Sequence, residues 1–285
     1  MELSFLLNYL CKQRGTTAQR KIEESAKLVY NAGFRYVDYT PDFMCQDYLR
    51  KANHDYEVLT TQGIAVEQTH APINRYCTYD NMDFKRLFMN AFEVSKAVQA
   101  KYVVVHADEY RTKDRYDSKE ACRQAYEFLS PYVEYAAKTG MTVAIENVFD
   151  DNMWPLFDGK SRYTSRMEEL LEIIEKFNTP EVKCCWDFGH AKCAFGANNM
   201  LDQLRQVSKY LVCTHVHDNY YGKDFHLMPF LGDIEWEPHI KYLNEIGYKG
   251  KFSFEFVYGS IPDALLPMLL KAAYDVGDYL VSQCQ

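Results

Sequence analysis

The sequence predicts an α/β protein, a single (β/α)8 TIM barrel spanning residues 1–285. Three observations carry that expectation. Short apolar runs alternate with segments of helical period along the whole chain, the alternation repeats eight times, and successive runs end in ionisable side chains, where such a barrel builds its active site. A chain of 285 residues suits one barrel, and no Pro/Gly/Ser-rich tract divides it.

The first strand is read at Leu3–Leu7. Its apolar stretch LSFLLNYL follows Glu2 rather than a basic segment and is far too short to span a membrane, as is every other run. In the segment TTAQRKIEESAKLVYNAG, Thr17 is placed to cap a helix, Ile22, Ala26 and Val29 recur at helical spacing, and Gly33 ends it. Further strands are read at 34–39, 64–70, 102–107, 142–147, 182–187, 211–217 and 252–256. Helices are read near 43–61, 80–99, 118–138, 164–177, 199–208, 235–246 and 262–282.

Composition narrows the function. Hydrophobic residues make up 47% and charged residues 25%, which excludes disordered and fibrous classes. Acids outnumber bases 40 to 32, so nothing draws a polyanion, and nucleic acid is a disfavoured partner. A small-molecule substrate fits better, and a homo-oligomer is left open. Arg111, Lys113 and Arg115 lie among Asp108, Glu109, Asp114 and Asp117, a mixed run read as a solvated loop. Nine cysteines without paired spacings favour reduced thiols and a cytoplasmic setting. Trp154, in the helix-free stretch DDNMWPLFDGKSRY, is read as part of a lid.

The strand tips carry the chemistry. His70, His106, Glu146 and Asp187 end strands three to six, and His215 and Glu255 lie on strands seven and eight. From His70 to Glu255 is 185 residues over five strand-to-strand steps, an average of 37, close to the roughly 30–40 of a barrel unit. Each residue alone has an ordinary structural reading; six at one end of successive strands point to a shared site. Carboxylate and imidazole without thiolate select a hard or borderline divalent metal ion, Mn²⁺, Mg²⁺, Co²⁺ or Zn²⁺. Glu146 and Glu255 facing each other across such an ion could move protons at a sugar carbon while the ion polarises the neighbouring oxygens. In CWDFGH, Asp187 and His190 have two readings: ligand and substrate groups, or a helix cap and a side chain packed on its first turn.

Taken together, VVH, IEN, WDFGH, HVHDN, LGDIEW and FEF resemble the xylose-isomerase-like barrels, a family that includes sugar isomerases, ketose 3-epimerases, inosose-processing enzymes and endonuclease IV. The resemblance covers nearly the whole chain. It implies a metal-dependent sugar or sugar phosphate isomerase or epimerase working through an enediolate, with Glu146 and Glu255 catalytic. The ion would be held by Glu146, Asp187, His215 and Glu255, with His190 on the substrate. The stretch YYGKDFHLMPFLGDIEW adds Asp224 and His226, which resemble the Asp-x-His pair binding the third zinc of endonuclease IV. With His70, His106 and His190, all nine positions of that trinuclear site have a matching residue type, so more than one ion is an alternative. The same stretch also resembles sugar-isomerase-like members in which the histidine faces substrate. The family's PG-x-G is replaced here by Pro229, Phe230, Leu231 and Gly232. The alternatives implied are a trinuclear zinc phosphodiesterase and an inosose dehydratase-type lyase; the acidic surplus favours the sugar enzyme, and the absence of a phosphate loop favours an unphosphorylated substrate. A non-catalytic sugar-binding barrel would be expected to lose one of the paired glutamates, and both are present.

Overall fold

The computed structural model describes residues 1–11, 20–40, 45–73, 82–107, 116–150, 161–257 and 261–282. Eight parallel strands form one sheet: β1 (Leu3–Leu6), β2 (Tyr36–Asp38), β3 (Ala65–His70), β4 (Tyr102–Val105), β5 (Thr142–Glu146), β6 (Val182–Asp187), β7 (Leu211–His215) and β10 (Phe252–Phe254). They pair in chain order, and β10 lies beside β1. Backbone bonds from Val216 N to Ser253 O (2.8 Å) and from Glu255 N to Val216 O (3.0 Å) join the tail of β7 to β10 and bring the sheet round into a barrel. All eight expected strands are therefore present, in the expected order.

Helices stand between the strands: α1 (Asn8–Cys11), α2 (Ile22–Ala32), α3 (Tyr48–Thr61), α4 (Met82–Ala97), α5 (Ser118–Thr139), α6 (Met167–Phe177), α7 (Phe188–Phe195), α8 (Met200–Val207), α9 (Trp236–Glu245) and α10 (Leu266–Ser282). The short α1 was not expected, nor was the antiparallel hairpin β8 (Asp218–Tyr220) and β9 (Lys223–Leu227) beyond β7, whereas α7 is the helix that the capping reading of Asp187 called for. Helix α2 starts at Ile22 with Lys21 at its N-cap and no side-chain cap bond; Thr17 lies outside the described residues. So do Trp154 with the central part of its loop, and the mixed run from Asp108 to Arg115. Among the described residues, no helix is long and apolar enough to cross a membrane.

The two-residue alternation of the strands separates two layers. On β6, Cys184 and Trp186 join the large core between sheet and helices. Cys185 belongs instead to a small cluster with Val104, Ala144 and Cys213. His106, Glu146, Asp187 and His215 each stand two residues further along the same four strands, so the apolar cluster is the floor on which they sit. On the opposite layer, Gly277 lets α10 approach the barrel, since a Cβ there would lie 2.7 Å from the Phe254 ring.

Candidate metal centre and active site

Glu146, at the tip of β5, is 1% exposed and gathers four imidazoles. His70 Nε2 (3.2 Å) and His106 Nε2 (3.1 Å) approach Oε2, while His190 Nδ1 (3.1 Å) and His215 Nδ1 (3.1 Å) approach Oε1. Burial alone would push this carboxyl up; His215 and His106 outweigh it and hold Glu146 well below the usual carboxylate range. For His215, burial pulls the other way and is overcome by Glu255 and Glu146, which hold it well above its ordinary value. Burial likewise raises Asp187, and His190 and His217 bring it below normal.

Glu146, Asp187, His215 and Glu255 each present one ligand atom, all within 4.8 Å of one another. His215 Nε2 donates to Asp38 Oδ2 (3.0 Å), and Gln68 Nε2 donates to the same oxygen (2.9 Å). That bond leaves Nδ1 facing Glu146 and Glu255 Oε2 (3.0 Å). A metal-binding imidazole is held this way, by a carboxylate on its far nitrogen. Three carboxylates and one so-oriented imidazole fit a hard or borderline divalent ion. His70 is oriented by donating Nδ1–H to the Ala71 carbonyl (2.6 Å).

The helix-cap reading of CWDFGH is met, and it leaves Asp187 within the ligand group. Asp187 is the N-cap of α7, its Oδ1 accepting from His190 N (2.6 Å), while Oδ2 accepts from His217 Nε2 (3.1 Å) and faces the ligand group. Asn147 ties the β5 and β6 tips together, accepting from Asp187 N (2.8 Å) and donating to Asp187 O (2.9 Å). The glycine of the motif has a steric cause: a Cβ on Gly189 would lie 1.8 Å from His217 Cε1.

Asp224 and His226 sit on β9, reached through the turn Tyr221–Gly222, both at positive φ as a two-residue hairpin requires. Asn219 Nδ2 donates to Asp224 Oδ1 (3.3 Å), and His226 Nε2 to Asp224 Oδ2 (3.1 Å). Burial lowers His226, but Asp224 raises it to about 10. Asp218 anchors the following loop, accepting from Phe230 N (3.0 Å), Ile234 N (3.1 Å) and Trp236 Nε1 (2.9 Å). Phe230, which replaces the family's glycine, keeps the left-handed backbone at φ 73°.

Structure thus brings together all nine residues singled out in the sequence. His106 departs in role from the trinuclear pattern: Arg162 Nη2 donates to its Nδ1 (3.4 Å), so Nε2 carries the proton and donates to Glu146. Sequence reasoning missed Asp38, Gln68, Asn147, Arg162 and His217. Asp38 ends the second strand and His217 stands within HVHDN, so position at a strand tip was the signal available for both.

A parallel barrel with carboxylates and imidazoles converging at the C-terminal mouth is the class of architecture that fold and site define. The family described as Xylose isomerase-like TIM barrel matches residues 26–271, and the chain belongs to it. Uncharacterized protein y4fM of Sinorhizobium fredii is 23% identical over 264 residues, covering 82% of this chain and 80% of its own. The crystal structure of a D-tagatose 3-epimerase-like protein superposes with a TM-score of 0.74 at 21% identity, covering 99% of each chain. The IOLI protein with a bound zinc atom gives 0.75 at 18%, covering 100% of this chain and 99% of its own.

Proposed function

We propose that the chain, acting as one barrel domain, is a metal-dependent isomerase or epimerase of a ketose or related polyol that works through an enediolate. One observation carries the reading: the carboxylates of Glu146 and Glu255 both reach His215 Nδ1, at 3.1 and 3.0 Å, with Asp187 completing the group. The epimerase-like and zinc-binding structural neighbours support it. The same reading places it in a reducing, cytoplasmic setting, where free cysteines such as the seven among the described residues persist.

A divalent ion, Mn²⁺, Co²⁺, Mg²⁺ or Zn²⁺, held by Glu146, Asp187, His215 and Glu255 would supply Lewis acidity to the substrate's oxygens. The residues do the proton work. One glutamate takes a proton from the carbon beside the carbonyl, and the other returns a proton to the enediolate. Glu146 is kept ionised at neutral pH by its imidazole neighbours, the charge state a proton acceptor needs. His106 donates toward Glu146, and His70 and His106 line the same mouth, where they can hold substrate hydroxyls.

Glu146→Gln and Glu255→Gln preserve shape and remove the acceptor, so each should lower turnover by ~10²- to 10⁴-fold. In deuterated water, label should appear on the carbon beside the carbonyl. Product without solvent label, together with active glutamine variants, sinks the two-glutamate mechanism. An inosose dehydratase-type lyase would share the proton abstraction and reveal itself by loss of water from the product. The trinuclear phosphodiesterase reading is favoured by the ligand group around Asp224 and opposed by the His106–Arg162 bond; incision of an abasic-site duplex tests it.

A further inference from the structure

We propose that Arg162 is a positioning residue for proton transfer at Glu146, acting through His106; the inference rests on the isomerase reading above. Four imidazoles surround the Glu146 carboxylate, and their far nitrogens set them apart. His70 Nδ1 faces the Ala71 carbonyl (2.6 Å), His215 Nε2 faces Asp38 Oδ2 (3.0 Å) and His190 Nε2 faces Asp224 Oδ2 (3.9 Å), all acceptors. His106 alone of the four has a donor there, the guanidinium Nη2 of Arg162, 3.4 Å from its Nδ1.

A neutral imidazole carries one proton, and an acceptor on the far side competes with Glu146 for it. On His106 that competition is removed. Arg162 supplies the hydrogen at Nδ1, so the ring's own proton goes to Nε2 and to Glu146 Oε2 (3.1 Å). Oε2 is thereby tied down, while Oε1 is left facing His215 Nδ1 (3.1 Å) in the ligand group.

The turn that carries Arg162 is fastened to the strand that carries Glu146. Thr164 Oγ1 donates to the Glu146 carbonyl (3.0 Å), and Val148 N donates to the Thr164 carbonyl (3.2 Å). Asp150 closes the turn, its Oδ1 accepting from Arg162 N (2.9 Å) and its Oδ2 from Arg166 Nη2 (2.8 Å). Thr164 sits at φ 70°, a strained conformation for a β-branched residue, which persists only where the surroundings over-determine it. The Arg162 side chain is 3% exposed, with its Cζ 5.7 Å from the centre of the Phe149 ring. Guanidinium, imidazole and carboxylate are thus held from one short piece of backbone. A base misplaced by about 1 Å can lose a factor of about 10² in rate, so this bracing bears on turnover.

Nuclear magnetic resonance of ¹⁵N-labelled protein loaded with Mg²⁺ tests the geometry without any turnover. The His106 signals, identified by their loss in His106→Gln, should show the Nε2–H tautomer with a downfield, slowly exchanging proton. A proton on Nδ1, or on both nitrogens, overturns the proposal. Arg162→Met removes the donor and should lose that proton to exchange, while Arg162→Lys, which still donates, should keep it. With Mn²⁺ and unphosphorylated ketohexoses, Arg162→Met should lower kcat about 10²-fold and leave KM within about twofold, and Arg162→Lys should recover most of the loss. An unchanged kcat in Arg162→Met overturns the proposal, as does a loss that lysine fails to recover. If Arg162→Met does not fold, the wild-type tautomer and the Arg162→Lys rates decide. A wild type that turns over no ketose refutes the isomerase reading, and the Nε2 proton in wild type and Arg162→Met then decides whether Arg162 holds His106 against Glu146.

Discussion

Asp38 shows how much a single side chain outside the ligand group can control. Its bond to His215 Nε2 is what turns Nδ1 toward Glu146 and Glu255. Asp38→Ala should therefore weaken metal affinity by about 10- to 100-fold, read by Mn²⁺ or Co²⁺ titration, while circular dichroism stays native. The imidazoles also set a pH dependence. His226 is raised to about 10, so in the metal-free protein it is protonated at neutral pH, and an ion that takes its nitrogen must displace that proton. Below the folded value of about 10, affinity for that ion should rise as pH rises. Calorimetry in two buffers of different ionisation enthalpy should detect proton release on metal addition; a buffer-independent heat would contradict it.

Helix ends and turns are where elements meet the site. Asp117 caps α5 by accepting from Lys119 N (2.9 Å) and Glu120 N (3.2 Å), and belongs to none of the ligand groups. Asp117→Ala should cost about 1 kcal/mol, seen as a fall in melting temperature of roughly 2–4 °C, with metal content unchanged. Asp187 is also a cap, but its second oxygen belongs to the ligand group, so Asp187→Ala should lose metal as well as stability. The loop after the hairpin gives a sharper comparison. Phe230 bears positive φ, which costs a non-glycine residue about 1–2 kcal/mol, in return for packing its ring 6.1 Å from that of Tyr279. Phe230→Gly should be more stable than Phe230→Ala, because alanine keeps the strain and loses the ring; chemical denaturation would rank them.

At the scale of the molecule, the mouth of the barrel is a lattice of opposite charges whose members come from β2 to β7, the hairpin and the residue after β10. An ion that binds only the folded chain adds stability by mass action, about 2.7 kcal/mol at a hundredfold excess over Kd. Melting temperature should climb with added Mn²⁺, Co²⁺ or Zn²⁺ and fall on chelation. Insensitivity to both would remove the foundation of the metal-dependent reading.

Alternation of strand and helix patterns, and ionisable residues at the ends of the apolar runs, determined the barrel and named the ends of its strands. This was legible because backbone periodicity is a local property: Glu146, Asp187 and His215 each follow an inward-facing apolar residue by two, and the pleat fixes the rest. The short α7 was legible only as one of two readings of Asp187, and the β8–β9 hairpin not at all, since one is a two-turn helix set off by a cap and the other a turn between polar residues. Which nitrogen of which histidine faces an ion was beyond the sequence altogether. That depends on Asp38 lying 177 positions from His215, and on the Asn147 and Glu255 carbonyls meeting His190 and His226. Only the closed barrel brings those atoms within hydrogen-bond range, so only the tertiary structure decided that His106 donates to Glu146 and that the rings of His190, His217 and His226 gather round Asp224.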